Sequence, residues 1–198
     1  RDAEEALRDL RSLGVQRLVQ GELHRLRQTN ELKAPRHFPE VDAFVALFEA
    51  VLWRRPVLVI LGATNLGKSL LAAAILERVA KALGISPAAF LEVTVEGDGH
   101  LDLADLDVEK HAGVLLDGVG DILLLKKNRE TLQGRPKVLK GGRSQTMRYA
   151  YPFTFARRAV IATMDLSAAD LELLRTDHWL SDPRNVSVLR LTQAAWLG

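Results

Sequence analysis

Val57-Leu58-Val59-Ile60-Leu61-Gly62-Ala63-Thr64-Asn65-Leu66-Gly67-Lys68-Ser69 decides the fold. The apolar run Val57 to Leu61 runs straight into a loop of the form G-x-x-x-x-G-K-[ST]. Leu70 to Ala80 follows with high helix propensity. Strand, glycine loop and helix in that order is the context in which this pattern cradles phosphate. Gly62 and Gly67 let the loop, through Ala63, Thr64, Asn65 and Leu66, wrap backbone N–H groups around the phosphates. Lys68 brings a point charge to the β and γ oxygens, and Ser69 offers its hydroxyl to Mg²⁺. The positive N-terminal end of the helix behind the loop would point at the same group.

Working outward, the 198 residues are 47% hydrophobic and have a mean hydropathy near zero, enough to bury a real core. They predict one α/β domain with a helical appendage. The absence of cysteine excludes a disulfide framework, a thiolate zinc site and a thiol nucleophile, and suits a reducing, intracellular compartment, nuclear or cytoplasmic. Twenty-seven Lys and Arg against 25 Asp and Glu leave a net charge of +2, so a nucleic-acid surface would have to be a local patch. No apolar run approaches the roughly twenty residues that span a bilayer, and no signal-peptide pattern is present, so no membrane partner is expected. The chain begins at Arg1 and reads as a fragment.

Residues 1–52 read as a helical N-terminal region, and residues 53–198 as the phosphate-loop domain. Leu7, Leu10, Leu13, Val15, Leu18 and Val19 lie near helical spacing; Val41, Phe44, Val45, Leu47, Phe48 and Val51 form a second apolar face. Prolines at 35 and 39 separate the two. The pattern suits an oligomerisation element and equally suits helices packed on the domain.

Beyond the loop helix, Ala89 to Val95 has strand character, and Ala112-Gly113-Val114-Leu115-Leu116-Asp117 is a short apolar run ending in an acid. An Asp at the tip of a buried parallel strand beside the loop strand would reach the Mg²⁺ shell, which makes Asp117 the Walker B candidate. Arg158 to Asp165 reads as a strand with a polar tip suited to sensing a γ-phosphate. Asn185 to Leu191 reads as the last strand. This order predicts an open, mostly parallel sheet with the ligand at the C-terminal ends of its strands.

Between Asp121 and Pro152 lies a basic, glycine-rich run: Lys126-Lys127-Asn128-Arg129, then Gly134-Arg135-Pro136-Lys137-Val138-Leu139-Lys140-Gly141-Gly142-Arg143, then Arg148-Tyr149. Such a hairpin would grip a phosphate backbone while Tyr149 stacks a base; a solvated basic loop is the plain alternative. Gly134-Arg135-Pro136 followed by Lys140-Gly141-Gly142 resembles the B-prime region of superfamily 3 helicases, in particular the Rep-type replication initiators of geminiviruses and related circular single-stranded DNA elements. The resemblance runs in order from the phosphate loop through Leu101-Asp102-Leu103, the Asp117 strand, the hairpin, Asp165 and Trp179 to Asn185-Val186-Ser187-Val188, roughly residues 57–192.

The resemblance implies a P-loop NTPase of AAA+-like, three-layer α/β/α fold. It further implies an ATP- and Mg²⁺-dependent motor on single-stranded DNA that works as a homo-oligomeric, hexameric ring with its hairpins lining the channel. Lys140 matches the hairpin lysine, with Lys137, Arg143 and Tyr149 as further DNA contacts. An arginine completing a neighbour's site is expected at Arg184, with Arg157, Arg158, Arg175 and Arg190 as alternatives. Gly118 stands where a second acid often follows the Walker B Asp, and Asp165 where Asn is usual. Asp121 is the expected substitute acid, with Glu92, Glu96 and Asp165 as alternatives, and hydrolysis is expected to be slow. No His-hydrophobe-His nuclease motif is present. The run Gly67 to Ile75 also resembles helicase-loader and transposon-helper ATPases, and Gly118 suits a hydrolysis-impaired nucleotide- or DNA-binding scaffold.

Overall fold

The structure, a computed structural model, describes residues 35–50, 52, 54–93, 99, 101–135, 137–140, 150–155, 158–165 and 167–196. The expected helix through Leu7 to Val19 lies outside these residues, as do Arg143, Tyr149 and Arg157.

Strand β1 (Val57–Gly62) is buried along its whole length, as a continuous apolar run must be when helices cover both faces of a parallel sheet. It leads through the loop into the 15-residue helix α2 (Lys68–Ala82), which follows α1 (Pro39–Ala46) in the chain. Strands β2 (Ala89–Glu92), β3 (His111–Leu116), β6 (Ala159–Asp165) and β7 (Val186–Leu191) join β1 in one five-stranded sheet of order β2-β3-β6-β1-β7, parallel throughout.

Two apolar clusters flank the sheet and make it three-layered. On one face Leu58, Ile60, Ile161 and Leu189 pack against Leu71, Ile75, Leu76 and Val79 of α2 and against Val41, Phe44, Val45 and Phe48. On the other, Val59, Leu61, Val114, Leu116 and Ala162 pack against Leu124 and Leu125 of α3 (Leu123–Lys127) and Leu132 of α4 (Arg129–Leu132), with Leu171 and Leu174 of α5 (Ala168–Thr176) at the margin. The α/β, three-layer fold expected from the strand and helix order is the one observed. Between α4 and β6 a two-stranded antiparallel sheet, β4 (Lys137–Lys140) with β5 (Ala150–Phe153), stands apart from the main sheet.

The spatial order corrects one expectation. The Asp117 strand is not beside the loop strand, because β6 lies between them, pairing Leu58 with Ile161 on one edge and Val114 with Val160 on the other. Apolarity marks both β3 and β6 as buried without saying which is central. Residues 35–50 also share the core of the phosphate-loop domain: the Phe44 and Phe48 rings meet edge-on at 5.3 Å, and the Arg55 guanidinium lies 4.6 Å from the Phe48 ring centre.

Candidate functional site

The loop turns on two residues of left-handed backbone, Asn65 (φ 66°) and Gly67 (φ 80°). Gly67 is also where the C-terminal segment closes in: a Cβ there would lie 3.0 Å from the Trp196 ring, and Ala195 N donates to Leu66 O at 2.9 Å. Both conditions favour glycine. The following peptide starts α2, with Leu71 N donating to Gly67 O, so the helix's first N–H groups and its positive end converge on the loop.

Lys68, the first helical residue, folds its side chain back over the loop. Its Nζ donates to Gly62 O (3.0 Å), Ala63 O (2.9 Å) and Asp165 Oδ1 (2.8 Å). Thr64 Oγ1 donates to the other oxygen of Asp165 at 3.3 Å. The hydrogen bond and charge of Lys68 hold the Asp165 carboxyl below its usual range. The phosphate loop on β1 and the tip of β6 thus meet through one ammonium group.

Ser69, one residue on, donates to Asp117 Oδ1 at 2.7 Å. The same oxygen accepts from Thr163 Oγ1 at 2.5 Å, and Thr163 Oγ1 accepts from Gly118 N at 2.9 Å. Thr163 is fully buried in β6, so the intervening strand orients the acid that the order of the chain had placed next to the loop. A hydroxyl and a carboxylate in direct contact form a hard-oxygen donor set, which fits Mg²⁺ at Ser69 and Asp117. The sequence reading passed over Thr163. Its signal was a lone hydroxyl inside the otherwise apolar Ala159-to-Met164 run.

Gly118 has φ 65°, and its N–H is taken by Thr163. Nothing stands within 4 Å of a Cβ there, but the left-handed backbone strains any side chain placed on it. Asp121 turns its Oδ1 to Leu123 N at 2.8 Å, starting α3. Glu92, at the end of β2, is partly buried, and its Oε2 is buried without a hydrogen-bond partner among the described residues. Burial first, and then the charge of Asp117, push its carboxyl above the usual range.

Among the arginines, Arg184 is exposed and its side chain makes three hydrogen bonds to Asp182, through Nε to both oxygens (3.0 and 3.1 Å) and Nη2 to Oδ2 (2.7 Å). Arg158 is directed inward to the Val108 carbonyl. Lys137 and Lys140 occupy the two ends of β4, in register with Phe153 and Ala150 of β5.

No family model matches the chain, and no curated protein sequence does. Among solved structures it is similar to NtrX from Brucella abortus in complex with ADP, at 16% identity and a TM-score of 0.42. That superposition covers 98% of this chain and 46% of NtrX, so the chain spans about half the length of that protein. A likeness this distant adds nothing to what the strand order and the loop already show, a P-loop NTPase type of α/β fold. No helix among the described residues is long and apolar enough to cross a membrane.

Proposed function

We propose that this domain binds and hydrolyses ATP at the Gly62 to Ser69 loop and uses the cycle to move along single-stranded DNA, as a Rep-like translocase or helicase. The observation that carries the nucleotide reading is the convergence of Lys68, Ser69, Asp117 and Asp165 at the C-terminal ends of β1, β3 and β6. Phosphate oxygens would compete with Asp165 for the Lys68 ammonium, while loop N–H groups hold the remaining oxygens. Ser69 and Asp117 would hold Mg²⁺, which when bound neutralises charge on the β and γ oxygens. Thr163 keeps Asp117 turned toward Ser69. Arg184 of a second copy of the chain, in an assembled ring, would stabilise charge developing on the transferred phosphate.

The DNA reading is supported by the β4–β5 pair, which forms its own two-stranded sheet with Lys137 and Lys140 at the ends of β4, next in sequence to the basic run around Arg143. In this reading the two lysines, Arg143 and Tyr149 grip the strand. Single-stranded DNA titrations across salt concentrations test it. Lys140→Ala and Arg143→Ala should each weaken binding and reduce the salt slope by about 0.7, with ATP affinity unchanged. Wild-type affinity and slope in both would overturn the DNA assignment. The left-handed turn at Gly118 favours a second reading, a nucleotide-binding scaffold with impaired hydrolysis.

A further inference from the structure

We infer that Glu92, at the tip of β2, is the catalytic base that activates water in this site. The inference rests on the nucleotide reading above and supplies the acid that Gly118 lacks.

Alternation along β2 separates its side chains: Phe90 belongs to the cluster under α2 and Leu91 to the cluster on the opposite face, so Glu92 faces α2 with Phe90. On β3, Leu115 belongs to the α2 face and is the register partner of Glu92. Asp117 lies two residues beyond Leu115, on the same side, where it meets Ser69 of α2. Glu92 therefore sits on the strand next to Asp117, two residues short of its level, on the face that carries the phosphate loop's helix. The charge of Asp117 is felt at its carboxyl.

Its state is unusual. A carboxylate held by structure normally has each buried oxygen bonded, yet Oε2 of Glu92 is buried with no partner among the described residues. Asp121 is committed to the Leu123 N–H, Asp165 to Lys68 and Thr64, and Asp117 to Ser69 and Thr163. Among the described carboxylates around the strand tips, Glu92 is the one carrying a buried oxygen left to accept a proton. In the step it would serve, Glu92 takes a proton from water as the water oxygen bonds to the γ-phosphorus. The bond from that phosphorus to the β,γ-bridging oxygen breaks, its electron pair leaving with ADP. The proton then passes from Glu92 to the released phosphate.

Calorimetric titration with Mg·ATP and single-turnover hydrolysis, run on the same preparations, separate this role from nucleotide binding. Glu92→Gln should lower the hydrolysis rate by about 10² or more while ATP affinity stays within about threefold. Glu92→Asp should lose less than Glu92→Gln, because it keeps a base and only draws it back. An unaltered melting curve for both variants ties the loss to chemistry. The inference is overturned if Glu92→Gln hydrolyses at the parent rate, or if Asp121→Asn abolishes turnover while Glu92→Gln leaves it intact. It is also overturned if the parent binds ATP without hydrolysing it. Absence of ATP binding by the parent would overturn the nucleotide reading and this inference together.

Discussion

Lys68 Nζ stands 2.8 Å from Asp165 Oδ1, and through this pair the phosphate loop is tied to the tip of the neighbouring strand β6. Lys68 is nearly buried while Asp165 is largely exposed, so the ammonium is held in place by two loop carbonyls and the carboxylate is the partner that a phosphate can displace.

Asp165→Asn should therefore tighten ATP binding. The competitor for Lys68 loses its charge, and a second negative group near the γ-phosphate is removed. Solvent screens an exposed pair of this kind, so the gain in affinity should be modest, up to about fivefold. Isothermal titration with Mg·ATP measures it, and weaker binding would show that Asp165 itself assists the ligand.

Thr163→Val removes the hydroxyl that connects Asp117 to the Gly118 N–H while keeping the shape of the buried side chain. The unpaired Gly118 N–H should lower stability by about 1 kcal/mol. Loss of orientation at Asp117 should lower Mg²⁺-dependent activity about 10-fold or more. Thermal melts and a Mg²⁺ titration of ATPase activity check the two effects separately.

The Arg184 hydrogen bonds, followed by the Arg184 backbone N–H, depress the Asp182 carboxyl to about 2. Its folded value lies below the unfolded value of about 3.9, so the stabilising contribution is present above pH 4 and is lost as pH falls through 2. An NMR titration should place Asp182 near 2 in the parent and closer to the ordinary carboxylate range in Arg184→Ala. A parent value in the ordinary range would mean that the guanidinium is not held at Asp182.

The phosphate loop, its flanking strand and helix, and the parallel α/β class were legible because apolar periodicity and the positions of Gly62, Gly67, Lys68 and Ser69 are local properties of the chain. The pairing order was not. Nothing local in Ala112 to Leu116 or Ala159 to Met164 says which strand lies against β1, and strand partners far apart in the chain, Leu58 with Ile161 and Val114 with Val160, decide it. For the same reason Thr163 was passed over, since its importance comes from lying between Asp117 and Gly118 in space. Glu92 ranked behind Asp121 because an acid at a strand end reads as the start of a turn, and only the neighbouring strand shows which face it takes. The second acid was sought at Gly118 from the order of the motif, whereas the backbone there is left-handed and turned toward β6.

The central claim is that the Gly62 to Ser69 loop binds nucleotide through Lys68, and isothermal titration of Mg·ATP into the parent protein and Lys68→Ala tests it most directly. Removing the ammonium leaves the loop N–H groups but takes away the charge facing the β and γ oxygens. The parent should bind one ATP per chain, and Lys68→Ala should show no saturable binding while melting as a folded protein. Equal affinity in the two proteins, or no binding by the parent, would contradict the account.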